Sequence, residues 1–226
     1  MVRLQRLDEA LGELKRALEL EPDNARFAYV YAVALHSTGA TEEAIASLET
    51  ALAAHPDDRD ILQALASYHA ERGDAVLAED EFRAAMALDP QFVPAYVNLA
   101  DLYRALGRDA DGEHSLRAGL DKVPGDASLH HALGLALVRL QRLDEALGEL
   151  KSAMELDPDN ARFAYVYAVA LNSTGATQEA ISSLETALAA HPDNRDILQA
   201  LASFHAKRGD AEEARNYAKR LQELSE

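Results

Sequence analysis

The sequence predicts an all-α solenoid of stacked antiparallel helix hairpins. The composition favours helices, because alanine and leucine dominate and aromatic residues make up only 6% of the chain. The chain also contains a long internal duplication and a shorter repeat that runs along most of the chain. The shorter repeat is marked by prolines spaced 34 residues apart, at Pro22, Pro56, Pro90, Pro124, Pro158 and Pro192. A period of this length is typical of proteins in which each repeat adds one small helical unit.

The longer repeat is a duplication of about a third of the chain. Residues 2–75 align without a gap with residues 138–211, and 65 of the 74 aligned pairs are identical. The offset of 136 residues is four times the shorter period. Units that recur in register in this way each form the same local structure and stack on their neighbours.

Each 34-residue unit has the pattern of a helical hairpin. It contains two stretches of a dozen or more residues with apolar positions at helical spacing. A glycine such as Gly39 or Gly73 separates the stretches in most units, where a helix commonly ends in a left-handed turn. Small alanines and one large apolar residue, as at Ala44 and Leu48, allow close packing. A single hairpin cannot bury its apolar face, so the hairpins are expected to stack.

In chain order, the pattern makes residues 1–226 one solenoid of seven parts. Residues 1–24 form a half-motif. The full motifs are 25–58, 59–92, 93–126, 127–160 and 161–194. Residues 195–226 form a terminal hairpin, whose heavily charged last helix is expected to cap the stack.

The half-motif matches the end of a first helix and the whole of a second helix, as in residues 138–156. A counterpart of residues 127–137 is absent from the half-motif. Its helix is therefore expected to have an apolar flank without intramolecular cover. Such a flank can accept a helix of another chain, so a second interpretation is a self-assembling repeat protein, natural or engineered, that forms domain-swapped homo-oligomers or filaments.

The motif resembles the tetratricopeptide repeat (TPR). Residues 127–160 show the resemblance well, with Gly134, Ala146, Leu150, Ala153 and Pro158 at the characteristic positions. The resemblance covers the whole chain. It implies a right-handed superhelical α-solenoid whose concave groove binds a protein or peptide ligand, and a non-enzymatic scaffold function.

The resemblance also implies which residues line the groove. In this family, positions two, five, nine and twelve of the first helices commonly do so, and Asn98 follows one such position. The groove residues assigned in this way are Arg26, Tyr29, His36, Gln63, Asn98, Asp101, Arg104, His131, Arg162, Tyr165 and Asn172. Tyrosines and hydrogen-bonding side chains without one dominant charge suit a peptide or an extended segment.

A narrower resemblance concerns three segments, residues 93–104, 129–135 and 164–173. They are similar to bacterial TPR regions that in some proteins follow a multihaem cytochrome. The chain has no Cys-x-x-Cys-His motif, so a haem domain would have to lie outside it. A third interpretation is therefore an accessory domain of a larger redox protein. The default location is cytoplasmic, or periplasmic if the chain is part of an exported protein.

Other chemistry is not indicated by the sequence. The net charge of -17 argues against nucleic-acid and anionic-membrane partners. No phosphate-binding loop or hydrolase motif is present, and cysteine is absent. His130 and His131 are adjacent, but consecutive helix residues point about 100° apart and cannot readily share a metal. We therefore expect no catalytic residues, no metal site and no cofactor.

Overall fold

The computed structural model describes residues 2–224, with side chains described from Glu9 onward. This part of the chain is composed of thirteen helices, without a strand. The helices of the first half are α1 Val2–Leu20, α2 Ala25–Ser37, α3 Thr41–Ala54, α4 Arg59–Arg72, α5 Ala75–Leu88 and α6 Val93–Ala105. Those of the second half are α7 Asp109–Lys122, α8 Ala127–Arg139, α9 Leu143–Leu156, α10 Ala161–Ser173, α11 Thr177–Ala190, α12 Arg195–Arg208 and α13 Ala211–Glu223. The predicted all-α fold of helix pairs is confirmed, and within each of the two units described next consecutive helices pack on each other.

The chain divides into two compact units, Met1–Leu106 and Gly107–Glu226. The division falls at the turn inside the motif 93–126, between α6 and α7. Helices α1 to α6 pack in sequence within the first unit, and helices α7 to α13 pack in sequence within the second. A single solenoid over residues 1–226 stays a prediction.

The core of the first unit is formed by the small and large apolar positions of successive helices. Ala32 of α2, Ala44 and Leu48 of α3, and Ile61 of α4 are all fully buried. Leu11 and Leu18 of α1 pack against this cluster. A second cluster, centred on Phe82 of α5, extends the core to α6. The alanines allow the helices to approach closely, and the larger side chains fill the remaining space.

The second unit repeats this packing with the duplicated residues. Ala168 of α10, Ala180 and Leu184 of α11, and Ile197 of α12 are the fully buried counterparts of the residues just described. Leu133 of α8 and Leu150 of α9 are also fully buried. Tyr217 and Leu221 of α13 are half-buried against α12, and no residue described in α13 is fully buried. This distribution fits a helix at the edge of a core.

One identical pentapeptide adopts two backbone structures. Residues 138–142 contain the end of α8 and the turn into α9, with Gln141 at a φ of 61°. The same five residues at positions 2–6 are part of the continuous helix α1. A turn at this pentapeptide is supported by the packing of α8 on α9. In the first copy, the pentapeptide instead continues directly into the residues that correspond to α9.

Candidate functional site

The first helices of the hairpins, except α6, start at side-chain caps, which fix where their exposed side chains lie. Asn24 accepts a hydrogen bond from the N–H of Phe27 at 3.2 Å. Asp58 accepts hydrogen bonds from the N–H groups of Asp60 and Ile61, both at 3.0 Å. These caps satisfy donors that the start of a helix leaves free. The exposed positions of α2, α4 and α6 line two cavities in the first unit.

A cavity of about 410 Å³ lies at the N-terminal ends of α2 and α4. We call it the Tyr29 cavity. Its lining residues are Ala25, Arg26, Tyr29, Val30, Asp58 and Asp60. Tyr29 is 37% exposed, so its ring and hydroxyl are available to a ligand. The structure thus brings together the predicted groove residues Arg26 and Tyr29.

A second cavity, of about 290 Å³, lies between α4 and α6 and is called the Asn98 cavity. Its lining residues are Ser67, Ala70, Glu71, Phe82, Asn98, Asp101, Leu102 and Ala105. The buried side chains of Phe82 and Leu102 make an apolar floor. Glu71 and Asp101 are exposed carboxylates at the edge. The cavity therefore joins an apolar floor to hydrogen-bond acceptors.

His36 lies in the first unit but is held by neighbouring side chains. Its ring stacks on Tyr68 with the ring centroids 4.2 Å apart. Nδ1 lies 3.2 Å from the Thr41 hydroxyl, and Nε2 lies 3.2 Å from a carboxylate oxygen of Glu71. A proton on Nε2 satisfies both contacts. Burial raises the pKa of the Tyr68 hydroxyl, and Tyr29 and Glu71 add to the effect. His36 thus connects α2 to α4.

The remaining predicted groove residues of the first unit differ in their surroundings. Arg104 donates to Asp101 at 3.1 Å in an exposed ion pair along α6. Gln63 is half-buried on α4, and its side-chain oxygen is buried without a hydrogen-bond partner among the described residues. Asp101 lines the Asn98 cavity, whereas Arg104 and Gln63 line neither cavity described above.

In the second unit, His131 is largely buried. It is 8% exposed, and its ring lies 4.6 Å from that of Phe163 on α10. Neither ring nitrogen has a hydrogen-bond partner among the described residues. Burial, reinforced by Arg162, lowers the pKa of His131 to about 4. His131 is therefore neutral at pH 7 and exposes little surface to a ligand.

The other predicted groove residues of the second unit lie along α10. Arg162 is exposed, whereas Tyr165 is half-buried and packs against the core. The side-chain oxygen of Asn172 accepts from the Thr177 hydroxyl at 2.9 Å and from the Lys207 ammonium at 3.2 Å. Asn172 therefore connects α10 to α12, as His36 connects α2 to α4.

Several residues of the two cavities are outside the sequence-based set. Phe82 lies on a second helix, at the position predicted to fill the core. It lines the Asn98 cavity together with two small residues, Ala70 and Ala105. Glu71 lies outside the set because it follows position twelve of its helix. The sequence signal for the Asn98 cavity is a small residue near the end of each of two successive first helices, Ala70 on α4 and Ala105 on α6.

Residues 2–224 contain no helix long and apolar enough to cross a membrane. Among the side chains that the structure describes, from Glu9 to Leu224, no group of three or more His, Cys, Asp or Glu is placed to hold a metal ion.

Comparison with protein families identifies the repeat. The tetratricopeptide-repeat model matches residues 2–68 and 69–136. The chain belongs to the tetratricopeptide-repeat family. Residues 112–226 match the TPR domain of cytochrome c-type biogenesis protein H, which supports the narrower cytochrome-related resemblance. No curated protein sequence matches the chain.

Solved structures show the same TPR fold. Pseudomonas aeruginosa PilF has a TM-score of 0.70 and 21% identity, over 89% of this chain and 92% of PilF. MamA has a TM-score of 0.62 and 22% identity, over 71% of this chain and 94% of MamA. YrrB, described as a TPR protein with an unusual peptide-binding site, has a TM-score of 0.56 and 21% identity, over 86% of this chain and 97% of YrrB. At these identities, the likeness concerns the fold.

Proposed function

We propose that this TPR protein is a non-enzymatic interaction scaffold that binds an extended peptide segment along α2, α4 and α6. The Asn98 cavity is the observation that carries the proposal. It takes one apolar side chain of the peptide, since its floor is formed by Phe82 and Leu102. Burying a side chain of the size of valine or leucine stabilises a complex by about 1.5–3 kcal/mol.

Polar groups beside the cavity supply the hydrogen bonds that an extended peptide needs. Asn98 offers both a donor and an acceptor at the edge. Main-chain hydrogen bonds and alternating side-chain pockets together are the usual means of binding an extended segment.

The charge of the site defines the ligand further. Glu71 and Asp101 lie at the edge of the cavity, and the whole chain carries a net charge of -17. Complementary charge favours association and selects against acidic partners. The preferred ligand is therefore a peptide with an apolar residue flanked by lysine or arginine.

Selection from a random peptide library on the full chain tests the proposal. We expect the selected peptides to share an apolar residue next to basic residues. Ser67→Tyr places a ring in the Asn98 cavity and should weaken binding at least tenfold. Ser203, the duplicate of Ser67, is exposed on α12, so Ser203→Tyr is the matched control. Equal loss in both variants, or no loss in either, would contradict a site in the Asn98 cavity.

A second role is supported by the match of residues 112–226 to a cytochrome biogenesis domain. In this role, the chain is an accessory interaction domain of a larger redox protein. A tiled peptide library from c-type cytochromes should then be enriched by the chain over a library of matched composition. Equal recovery from the two libraries would argue against this role.

A further inference from the structure

Helix α5 is apolar on two faces. Its inner face carries Ala78, Phe82 and Ala85, which are all fully buried in the core of the first unit. The face directed away from this core is also mostly apolar, from Val76 in the first turn to Leu88 in the last. A helix that is apolar all round is normally buried on all sides. The second face of α5 is instead open to solvent.

We call this second face the outer stripe. Val76 is 75% exposed, Leu77 is 49% exposed and Leu88 is 42% exposed. Positions four or seven residues apart on a helix lie on the same side of it, and the stripe follows this spacing along the whole of α5. Its members are Val76, Leu77, Asp80, Ala84, Ala87 and Leu88.

The residue types of the outer stripe are unusual for this protein, whereas its exposure is not. The second helix α3 has Glu42 and Glu43 at the positions of Val76 and Leu77, and both are exposed. Helix α13 has Glu212 and Glu213 there, again exposed. These positions are therefore exposed in hairpins of both units, and α5 places a valine and a leucine where the other two helices place carboxylates.

The later turns of the stripe show the same contrast. In α13, the counterparts of Asp80, Ala84 and Ala87 are polar and exposed, and they are Asn216, Arg220 and Glu223. Single exposed apolar residues are normal on a protein surface, whereas a contiguous apolar patch marks an interaction site. The outer stripe is contiguous over the length of a helix, so it has the character of a binding surface.

The free charge within the stripe is negative. Asp80 lies one turn from both Val76 and Leu77, and its carboxylate has no ion pair or hydrogen bond with the side chains described from Glu9 to Leu224. Arg83, at the edge of the stripe, is already engaged, since its guanidinium lies 2.6 Å from the carboxylate of Glu79 and donates to the Tyr103 hydroxyl at 3.0 Å. A lysine or arginine of a partner would therefore complement the stripe.

The shape of the stripe favours a helical partner. It is a straight helical surface, and its 14 residues extend over about 21 Å. Helices pack on such a surface by fitting the side-chain ridges of one into the grooves of the other. A partner helix of similar length would present apolar residues at three- and four-residue spacing, as amphipathic helices do when they bind to an apolar surface.

We propose that the outer stripe of α5 binds an amphipathic helix of another protein, with lysine or arginine beside its apolar residues. The apolar side chains of the partner contact Val76, Leu77 and Leu88, and one of its basic side chains pairs with Asp80. The site is separate from the peptide site proposed above. Phe82 is the α5 residue that lines the Asn98 cavity, and it is buried on the inner face.

A second copy of this chain is a poorer occupant. Each chain has a net charge of -17, so two copies repel each other. Pairing of two α5 helices about a two-fold axis would bring both Asp80 carboxylates into the contact, while Arg83 is held by Glu79 and Tyr103. One exposed helix face also covers only a fraction of the roughly 800 Å² per partner that a stable interface buries.

Selection from a library of amphipathic helical peptides on the full chain tests the proposal. The peptides share a stripe of leucines, and the positions beside the stripe vary. We expect the selected peptides to carry lysine or arginine at one fixed position. A general preference for basic peptides would follow from the net charge alone, so the position of the basic residue is the informative result.

Charge reversal at Asp80 identifies the residue that recognises this position. Selection on Asp80→Lys should return glutamate or aspartate at the position where the parent chain returns a basic residue. Glu179 is exposed on α11, so Glu179→Lys is the matched control and should return the basic residue. The same basic residue from Asp80→Lys would contradict the proposed pair.

Removal of the apolar contact provides the complementary test. The double variant Val76→Glu with Leu77→Glu gives α5 the residues that α13 has at the same positions, so the fold should be retained, with circular dichroism as the check. It should weaken binding of a selected peptide at least tenfold, since burying one such side chain is worth about a factor of ten or more. Ser182→Glu with Ala189→Glu adds the same charge at exposed positions of α11 and should leave binding unchanged.

Amide exchange locates the bound peptide. We expect protection in α5 on addition of a selected peptide, and protection confined to the first helices α2, α4 and α6 would contradict the outer stripe as the site. Ser67→Tyr should leave this binding unchanged, which separates failure at the outer stripe from failure at the Asn98 cavity.

Two further outcomes would overturn the proposal. They are a selection that enriches no helical peptide, and binding that survives the double change at Val76 and Leu77. Light scattering over a hundred-fold dilution tests the alternative occupant. A constant mass near 24.6 kDa supports a partner other than the chain itself. A mass that rises with concentration, and does not rise in the Val76→Glu and Leu77→Glu variant, would show that a second copy covers the stripe instead.

Discussion

At the scale of single residues, the turn inside each hairpin requires a positive φ. Five of these turns use glycine, at Gly39, Gly73, Gly107, Gly175 and Gly209, with φ between 70° and 96°. The sixth uses Gln141 at a φ of 61°. A residue with a Cβ in this region costs about 1–2 kcal/mol, because Cβ crowds the following carbonyl oxygen. The backbone at Gln141 is therefore strained, and the packing of α8 on α9 holds it in this conformation.

Gln141→Gly should raise the free energy of unfolding by about 1 kcal/mol, since glycine removes the steric cost. Gln5 is the duplicate of Gln141 and lies in α1, so Gln5→Gly is the matched control. It should instead lower the free energy of unfolding by up to about 1 kcal/mol, as glycine does inside helices. Urea denaturation measures both. The same sign of change at both positions would contradict the turn assigned to residue 141.

His131 shows how burial decides the charge of a residue. Its ring is enclosed between α8 and α10 against Phe163, and burial is the main reason that its pKa is lowered to about 4. An unfolded chain has a histidine pKa near 6.5. Between these values, the unfolded state binds the proton more tightly, so the stability from His131 is present above pH 6.5 and is lost as the pH falls towards 4.

Acidification from pH 7 to pH 4 should therefore destabilise the protein by up to about 3 kcal/mol through His131 alone. His131→Leu should flatten this part of the stability profile. His114 is exposed on α7, so His114→Leu should leave the profile unchanged. Denaturation midpoints at several pH values provide the measurement. An identical profile for His131→Leu and the parent would show that His131 is not protonated on unfolding in this range.

At the scale of helices, two of the nine differences between the duplicates meet at one contact. His36 and Glu71 join α2 to α4 in the first copy, and Asn172 and Lys207 join α10 to α12 in the second. In the first copy the donor is His36 on α2, and in the second copy it is Lys207 on α12. In both copies, one hydrogen bond joins the first helices of two successive hairpins. We therefore expect the residues at these two positions to be energetically coupled.

A double-mutant cycle tests this coupling. His36→Asn and Glu71→Lys should each lower the free energy of unfolding, and the double variant should recover part of the loss because it recreates the contact of the second copy. The coupling energy should be about 0.5–1 kcal/mol, since Glu71 is largely exposed. The pair His36→Asn and Glu19→Lys, with Glu19 on α1, should be additive. Additivity in the first cycle would show that the two residues act independently.

At the scale of the whole molecule, position in the chain changes the role of identical residues. The pentapeptide at residues 2–6 is helical, whereas its copy at residues 138–142 includes a turn. Phe27 is half-buried and its copy Phe163 is buried. Each difference follows from whether a helix of the α8 type packs on the copy.

Much of the fold could be predicted from the repeat pattern. The hairpin boundaries follow from Asp or Asn caps such as Asp58 and from turn glycines such as Gly73, which are local signals. The contacts of the candidate-site residues could be predicted less well from the sequence. His36 and Asn172 occupy groove positions by family resemblance, but contacts with neighbouring helices hold them. Phe82 lines a cavity beside alanines of two other helices, an arrangement that helical periodicity does not predict.

The sequence by itself determined the all-α class, the 34-residue period and the pairing of helices into hairpins. These properties depend on apolar spacing, caps and turn residues, which act over a few residues. The tertiary structure decided which copy of each duplicated surface is buried, whether a histidine is neutral, and where the cavities lie. These properties depend on which helix packs next to which, and identical sequences can have different neighbours.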